Sequence, residues 1–239
     1  MRQTKAIIQH IPIVNRIARD LLQILRQRRV SRPLSQTTIR SKEYWENRYA
    51  HGGTSGAGSY GLLAEFKAEI LNAFVQEHQI LSVIEFGCGD GNQLSLAHYP
   101  AYIGLDVSKT AIRLCIERFR QDPSKSFFLY DSQCFMDRHN TFTAELALSL
   151  DVIFHLLEDD IFECYMQHLF AAAKRYVIIY SSNTDEVSPA PHIKHRHFTA
   201  WIEANLPGWK LAKKIPNRYP FQGDERTGSF ADFYIYEEA

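Results

Sequence analysis

The residues with the most chemical content lie in VIEFGCGDGNQL, Val83 to Leu94, where an apolar run reaches Glu85 and then Gly87, Gly89 and Gly91 at alternate positions. Glycines spaced this way let the backbone turn sharply and bring its peptide groups against a ligand. A dinucleotide fingerprint needs a glycine at position 92, where Asn92 stands, which argues against NAD. A second polar concentration, SSNTDEVSPAPHIKHRHF from Ser181 to Phe198, contains His192, His195, Arg196 and His197. Its H-x-x-H-x-H spacing raises metal binding, but no nearby Cys or clear carboxylate completes a ligand set, so no metal is expected.

An acid two residues ahead of a G-x-G-x-G turn resembles the first motif of the class I S-adenosylmethionine-dependent methyltransferases, and the resemblance covers about residues 44 to 239. It implies S-adenosyl-L-methionine as cofactor and S-adenosyl-L-homocysteine as product, with Glu85, Gly87, Gly89 and Gly91 around the methionyl part. Asp106 in YIGLDVS, 21 residues after Glu85, takes the place of the acid that binds the ribose. That choice makes chemical sense, because two vicinal hydroxyls offer two donors and one carboxylate can accept both. Asp131 and Ser132, after FFLY, fall where the family contacts the adenine amino group, and LALSLDVIFHL, which contains Leu150, matches the fourth motif.

Methyl transfer from a sulfonium is an in-line displacement, so alignment carries much of the catalysis, and a hydroxyl acceptor also needs a base within hydrogen-bond reach. His155, just after the fourth strand, is the first candidate and Asp151 the second; the competing reading of His155 is a cap or packing residue. His192, His195, Arg196 and His197 form a candidate acceptor wall for a hydroxyl-rich or anionic substrate, or else a solvated loop. EYWENRYAHGGTSGAGSYG resembles the lid of many class I enzymes, which implies cofactor contact for Trp45, Arg48 and Tyr49 and a substrate-facing place for Tyr60 after loop closure. Packing is the alternative for Trp45 and Tyr49. The combination of SGAGSYG, SLDVIFHL, HRHF and FADFYIYEE is similar to a bacterial methyltransferase group, a resemblance that implies O-methylation of a saccharide or another small acceptor.

The elements that must position these residues follow a βαβα rhythm. Strand-like runs at Ser82–Phe86, Tyr102–Asp106, Phe127–Asp131, Leu146–Leu150 and Tyr176–Tyr180 alternate with helical stretches, and Trp209–Ile215 and Phe230–Tyr236 close the chain as an antiparallel pair at the sheet edge. The expected fold is α/β and Rossmann-like: a mostly parallel seven-stranded sheet with an antiparallel terminal strand and helices on both faces. A short aromatic helix over Ser41–Ala50, the glycine-rich loop His51–Gly61 and a long helix from about Leu62 to His78 precede it.

At 239 residues the chain accommodates one such domain, 41–239, behind an arm and linker, 1–40. No apolar run is long enough to cross a bilayer, the N-terminus does not read as a secretion signal, and four scattered cysteines fit reduced thiols, so a cytoplasmic location is expected. Net charge is zero, yet residues 1–42 hold ten Lys/Arg against the single acid Asp20. From Pro12 to about Arg29 the arm reads as a basic amphipathic helix, open to peripheral contact with the inner membrane surface, to nucleic acid, or to packing on the acidic body. A nucleic-acid methyltransferase and a non-catalytic cofactor-binding protein are the rival functions. Against the first stand the acidic body and the lack of an Asn/Asp-Pro-Pro-aromatic motif after the fourth strand.

Overall fold

Runs rich in Val, Ile, Leu, Phe and Tyr suit a pleated surface covered on both sides, and seven of them form strands. The structure, a computed structural model, describes residues 40–239; the expected arm helix and most of its linker lie outside the described residues. The strands are β1 (Val83–Phe86), β2 (Tyr102–Asp106), β3 (Lys125–Leu129), β4 (Ala144–Leu150), β5 (Ala173–Ser181), β6 (Trp209–Ile215) and β7 (Asp232–Glu238). They form one sheet in the order β3-β2-β1-β4-β5-β7-β6. Strands β1 to β5 are parallel, and β7 runs antiparallel to both β5 and β6. The last two strands do pair, but the chain-terminal β7 lies inside and β6 forms the edge. Their side chains explain the order: Phe233 to Tyr236 are buried, whereas β6 is largely exposed and carries Lys210, Lys213 and Lys214, charges that protect an open edge.

Five helices accompany the sheet among the described residues: α1 (Ser41–Ala50), α2 (Gly61–Glu77), α3 (Lys109–Arg118), α4 (Asp159–Ala171) and α5 (Phe198–Asn205). The period-2 alternation of the strands divides the core. Val83, Leu146, Leu148 and Ile178 pack with Leu71 and Phe74 of α2 and Ile112 and Cys115 of α3. Ile84, Phe86, Ala147, Val177 and Ile179 pack with Phe162 and Met166 of α4 and Phe198 and Ile202 of α5.

Two expected crossover helices are missing. The link from β1 to β2 spends its first residues on the glycine turn and meets Pro100 before β2, leaving room for one 3-10 turn, Leu94–Leu96. Between β3 and β4, Asp137 accepts the amides of Thr141 and Phe142 and Asn140 adopts a left-handed φ of 53°, which favours a turn over a helix. Strand β3 ends at Leu129, so Asp131 lies beyond it, and His155 sits in a 3-10 turn, Ile153–His155, ahead of α4.

One buried bond fixes the end of β1 against its neighbours. The Tyr165 hydroxyl on α4 donates to the Phe86 carbonyl at 3.0 Å and lies 2.6 Å from Ser149 Oγ on β4. Leaving a buried acceptor unpaired costs about 1–3 kcal/mol. Tyr165→Phe should therefore lower unfolding stability by about that amount, read as a reduced urea midpoint at unchanged slope.

Candidate active site at the carboxyl edge of the sheet

Strands β1, β2, β4 and β5 present their carboxyl ends at one edge, where parallel α/β sheets receive ligands. β1 runs into Gly87, Gly89 and Gly91 at φ 89°, 58° and 75°, conformations that only glycine adopts cheaply. Space is equally restrictive: a Cβ on Gly87 would meet Val152 at 2.4 Å, and one on Gly89 would meet Ser55 Oγ at 2.3 Å. The Gly89 amide donates to Asp106 Oδ2 at 2.9 Å and the Ser108 amide to Asp106 Oδ1 at 2.8 Å. The acid ending β2 thus braces the turn ending β1, and each of its oxygens retains a further lone pair. Asp106 is 6% exposed, and burial raises its pKa to about 6. Beneath it, Glu85 accepts the Tyr102 hydroxyl at 2.6 Å, and burial pushes its carboxyl up to about 7.

The glycine-rich segment lies closed against this turn. Ser55 and Asp90 exchange hydrogen bonds, amide to carboxylate at 2.9 Å and amide to hydroxyl at 2.9 Å. Tyr60 donates to Asp90 Oδ2 at 2.8 Å, and burial together with that carboxylate pushes its phenol up to about 12. Tyr49 OH is 3.0 Å from Ser55 Oγ, and Arg48 Nε donates to the Thr54 carbonyl at 2.6 Å. Arg48 and Tyr60 therefore hold the segment itself.

Helix α1 is clamped over the edge at three points. Ser41 bonds Glu158 ahead of α4, through its amide at 3.2 Å and its hydroxyl at 2.6 Å. Glu46 accepts Ser108 Oγ at 2.7 Å and Thr110 Oγ1 at 2.8 Å at the start of α3; burial opposes its ionisation, but these bonds prevail and hold its pKa below the usual carboxylate range. Lys42 meets Asp131 at 2.7 Å and holds that carboxyl below its ordinary range. Asp131, expected at an adenine amino group, is thus engaged by α1, with Ser132 buried beside it.

The clamp brings α1 aromatics to the end of β4. Trp45 meets His155 edge-on at 4.8 Å, and Tyr44, His192 and His155 stack at 5.0 and 5.5 Å. His155 Nδ1 is 3.0 Å from the His192 carbonyl. A carbonyl only accepts, so Nδ1 bears the proton and Nε2 keeps its lone pair. Burial lowers the His155 pKa to about 4. Asp151, at a left-handed φ of 59° after the buried Leu150, pairs through Oδ2 with Lys67, which is wholly buried on α2.

His195 lies 2.7 Å from Ser182 Oγ and 6.3 Å from the Phe154 ring, whereas the Arg196 guanidinium is turned to other partners. Arg196 donates to the Leu156 and Leu157 carbonyls and to Asp159, over the Phe162 ring, and so ties down the loop. His197 is exposed at the start of α5. Lys67, Asp90, Ser55 and Glu46 are the residues that sequence reasoning missed. Only Lys67 left a signal, a charge within the apolar stripe of Leu63, Leu71 and Phe74.

No family model and no curated protein matches the sequence. Solved structures do. The chain is similar to the N-methyltransferase NodS of Bradyrhizobium japonicum WM9 in complex with S-adenosylhomocysteine, with TM-score 0.64 and 12% identity over 84% of this chain and 99% of that one. It is also similar to magnesium protoporphyrin IX methyltransferase of Synechocystis PCC 6803 with bound SAM, with TM-score 0.61 and 14% identity over 86% and 100%. The methyltransferase domain of bacterial CtHen1 matches at TM-score 0.56 and 20% identity over 73% and 97%. The fold is that of the class I methyltransferases. In this chain the glycine turn follows β1, Asp106 ends β2 and Leu150 ends β4, all at the same edge of the sheet. Among the described residues no helix is long and apolar enough to cross a membrane, and no cluster of metal-ligating side chains forms.

The buried acids make a pH test. Glu85 titrates at about 7 in the folded chain, above its ordinary value of 4.5, so its stabilising effect is complete below about pH 4.5 and lost as pH rises through 7. Raising pH from about 5 to 8 should therefore lower Tm more in the wild type than in Glu85→Gln, which keeps an acceptor for Tyr102. Equal slopes in differential scanning calorimetry would place the titrating group elsewhere.

Proposed function

We propose that this protein is an S-adenosylmethionine-dependent methyltransferase acting on a hydroxyl of a small molecule or saccharide. Asp106 carries the reading: a buried carboxylate at the end of β2, braced by the Gly89 and Ser108 amides, with a lone pair left on each oxygen for vicinal hydroxyls. Beside it the left-handed glycines let the turn pack tightly, since a Cβ at Gly87 or Gly89 would strike Val152 or Ser55. The residues present fit this cofactor, with Asp106 for the ribose, Gly87 to Gly91 for the methionyl part, and Ser132 and Leu150 on the remaining walls. The relatives of like fold named above include proteins crystallised with this cofactor or its product, which supports the same assignment here.

When bound, S-adenosylmethionine supplies an electrophilic methyl group on a sulfonium. The protein's task is then to align the attacking atom. His155 Nε2 is free to accept a hydrogen bond from an acceptor hydroxyl, because Nδ1 is committed to the His192 carbonyl. A pKa of about 4 keeps the ring neutral at pH 7 and makes it a weak base, so its contribution is chiefly orientation. Asp151 Oδ1 offers a second acceptor while Oδ2 is held by Lys67. The 51–61 segment, latched to Asp90, excludes water from the glycine turn.

Calorimetric titration tests the reading. S-adenosylmethionine and S-adenosylhomocysteine should bind and NAD should not; failure of the first two with folded, ligand-free protein would overturn it. Asp106→Ala should weaken S-adenosylmethionine binding at least tenfold, about 1.4 kcal/mol. Formation of S-adenosylhomocysteine with an acceptor separates an enzyme from a binding protein.

A further inference from the structure

Lys67 carries the one wholly buried ammonium among the described residues, and it stands in the apolar stripe of α2 between Leu63 and Leu71. An ammonium withdrawn from water needs a compensating charge, which Asp151 Oδ2 supplies at 2.5 Å, with the Tyr180 ring 5.2 Å from Nζ. Packing alone has no use for such a pair, because apolar side chains of similar volume stabilise a core as well or better. The two partners are not buried alike. The Lys67 side chain is 1% exposed and that of Asp151 16%, so the open side of the pair is the carboxylate.

Asp151 is attached through Oδ2, and among the described residues Oδ1 meets no donor. Its backbone holds a left-handed φ of 59°, uncommon outside glycine and concentrated at functional sites. Its surroundings are those of the glycine turn. Val152, the next residue, fills the space over Gly87, where a Cβ would stand 2.4 Å from its side chain. Gly58 of the 51–61 segment covers the carboxylate, and a Cβ there would fall 2.7 Å from Oδ2. The unspent oxygen thus lies beside the turn assigned to the methionyl part of the cofactor. That part ends in an ammonium and a carboxylate, and of the two only the ammonium can donate to a carboxylate oxygen.

We infer that Lys67 is a positioning residue for cofactor recognition: it holds the Asp151 carboxylate by Oδ2 so that Oδ1 receives the α-ammonium of the methionyl end. The inference rests on the methyltransferase reading for the ligand and on the buried pair for the residues. Oδ1 has two lone pairs, so an acceptor hydroxyl can share it. Lys67 itself is closed off and acts only through Asp151.

The test titrates the full chain by calorimetry with four adenosine thioethers: S-adenosylhomocysteine, its decarboxylated form, its deaminated form, and methylthioadenosine, which lacks both charged groups. Asp151→Asn, whose amide oxygen can still accept from Lys67, should lose about tenfold in affinity for the two ammonium-bearing ligands and less than about twofold for the other two. Lys67→Met should follow the same ligand pattern, and added to Asp151→Asn it should cost less than about twofold more with any ligand, because its effect passes through Asp151. If Lys67→Met alone fails to fold, the charge-free double variant compared with Asp151→Asn still decides. Equal losses with all four ligands in Asp151→Asn, or a loss from Lys67→Met that follows the ligand carboxylate, would overturn the inference. Failure of the wild type to bind any of the four would instead strike the cofactor reading, whereas binding of all four without preference for the ammonium strikes this inference alone.

Discussion

The hydrogen bond from the Gly89 amide to Asp106 is the joint on which the edge of this sheet depends. A carboxylate taken out of water is tolerated only when its oxygens are satisfied, and the two amides that meet Asp106 belong to different strand ends. The bond therefore sets the spacing between the β1 turn and the end of β2. The Gly89 carbonyl is fixed in turn by Cys115 of α3, at 3.2 Å. With both peptide groups of the turn held and no Cβ in the way, the glycine segment can lie directly on it through Ser55.

A second layer of organisation comes from α1, whose attachments rely on polar groups at the beginnings of α3 and α4. Carboxylates are favoured near helix N-termini, and Glu46 occupies such a place while Ser41 is received by Glu158. Because α1 carries Tyr44, Trp45, Arg48 and Tyr49, its docking builds the wall around His155 and restrains the segment above the glycines. Burial then decides the electrostatics of that wall: it keeps His155 neutral, while Lys194 and Arg196 share Asp159 and Arg48 keeps its charge on the Thr54 carbonyl. Lys67 and Asp151 form the opposite case, a buried charge pair whose partners depend on each other, since removing either leaves an uncompensated charge.

The sequence by itself determined the glycine turn, Asp106 and the strands that present them, because these rest on local requirements: left-handed φ at three glycines, a period of two in the strands, and an acid at a strand end. It misplaced β3 and β7 by two residues and filled two crossovers with helices, since boundaries there depend on Pro100, Asp137 and pairing partners rather than on periodicity. Only the tertiary structure decided which polar side chains were available for chemistry. Arg196 looked like a ligand group until the carbonyls of Leu156 and Leu157, distant in the chain, took its hydrogen bonds. The proton on His155 Nδ1 likewise follows from a carbonyl 37 residues away, and the role of Lys67 from a carboxylate 84 residues away. A residue's type fixes what it is able to donate or accept, but whether that capacity is already spent depends on contacts that form only when the chain closes on itself.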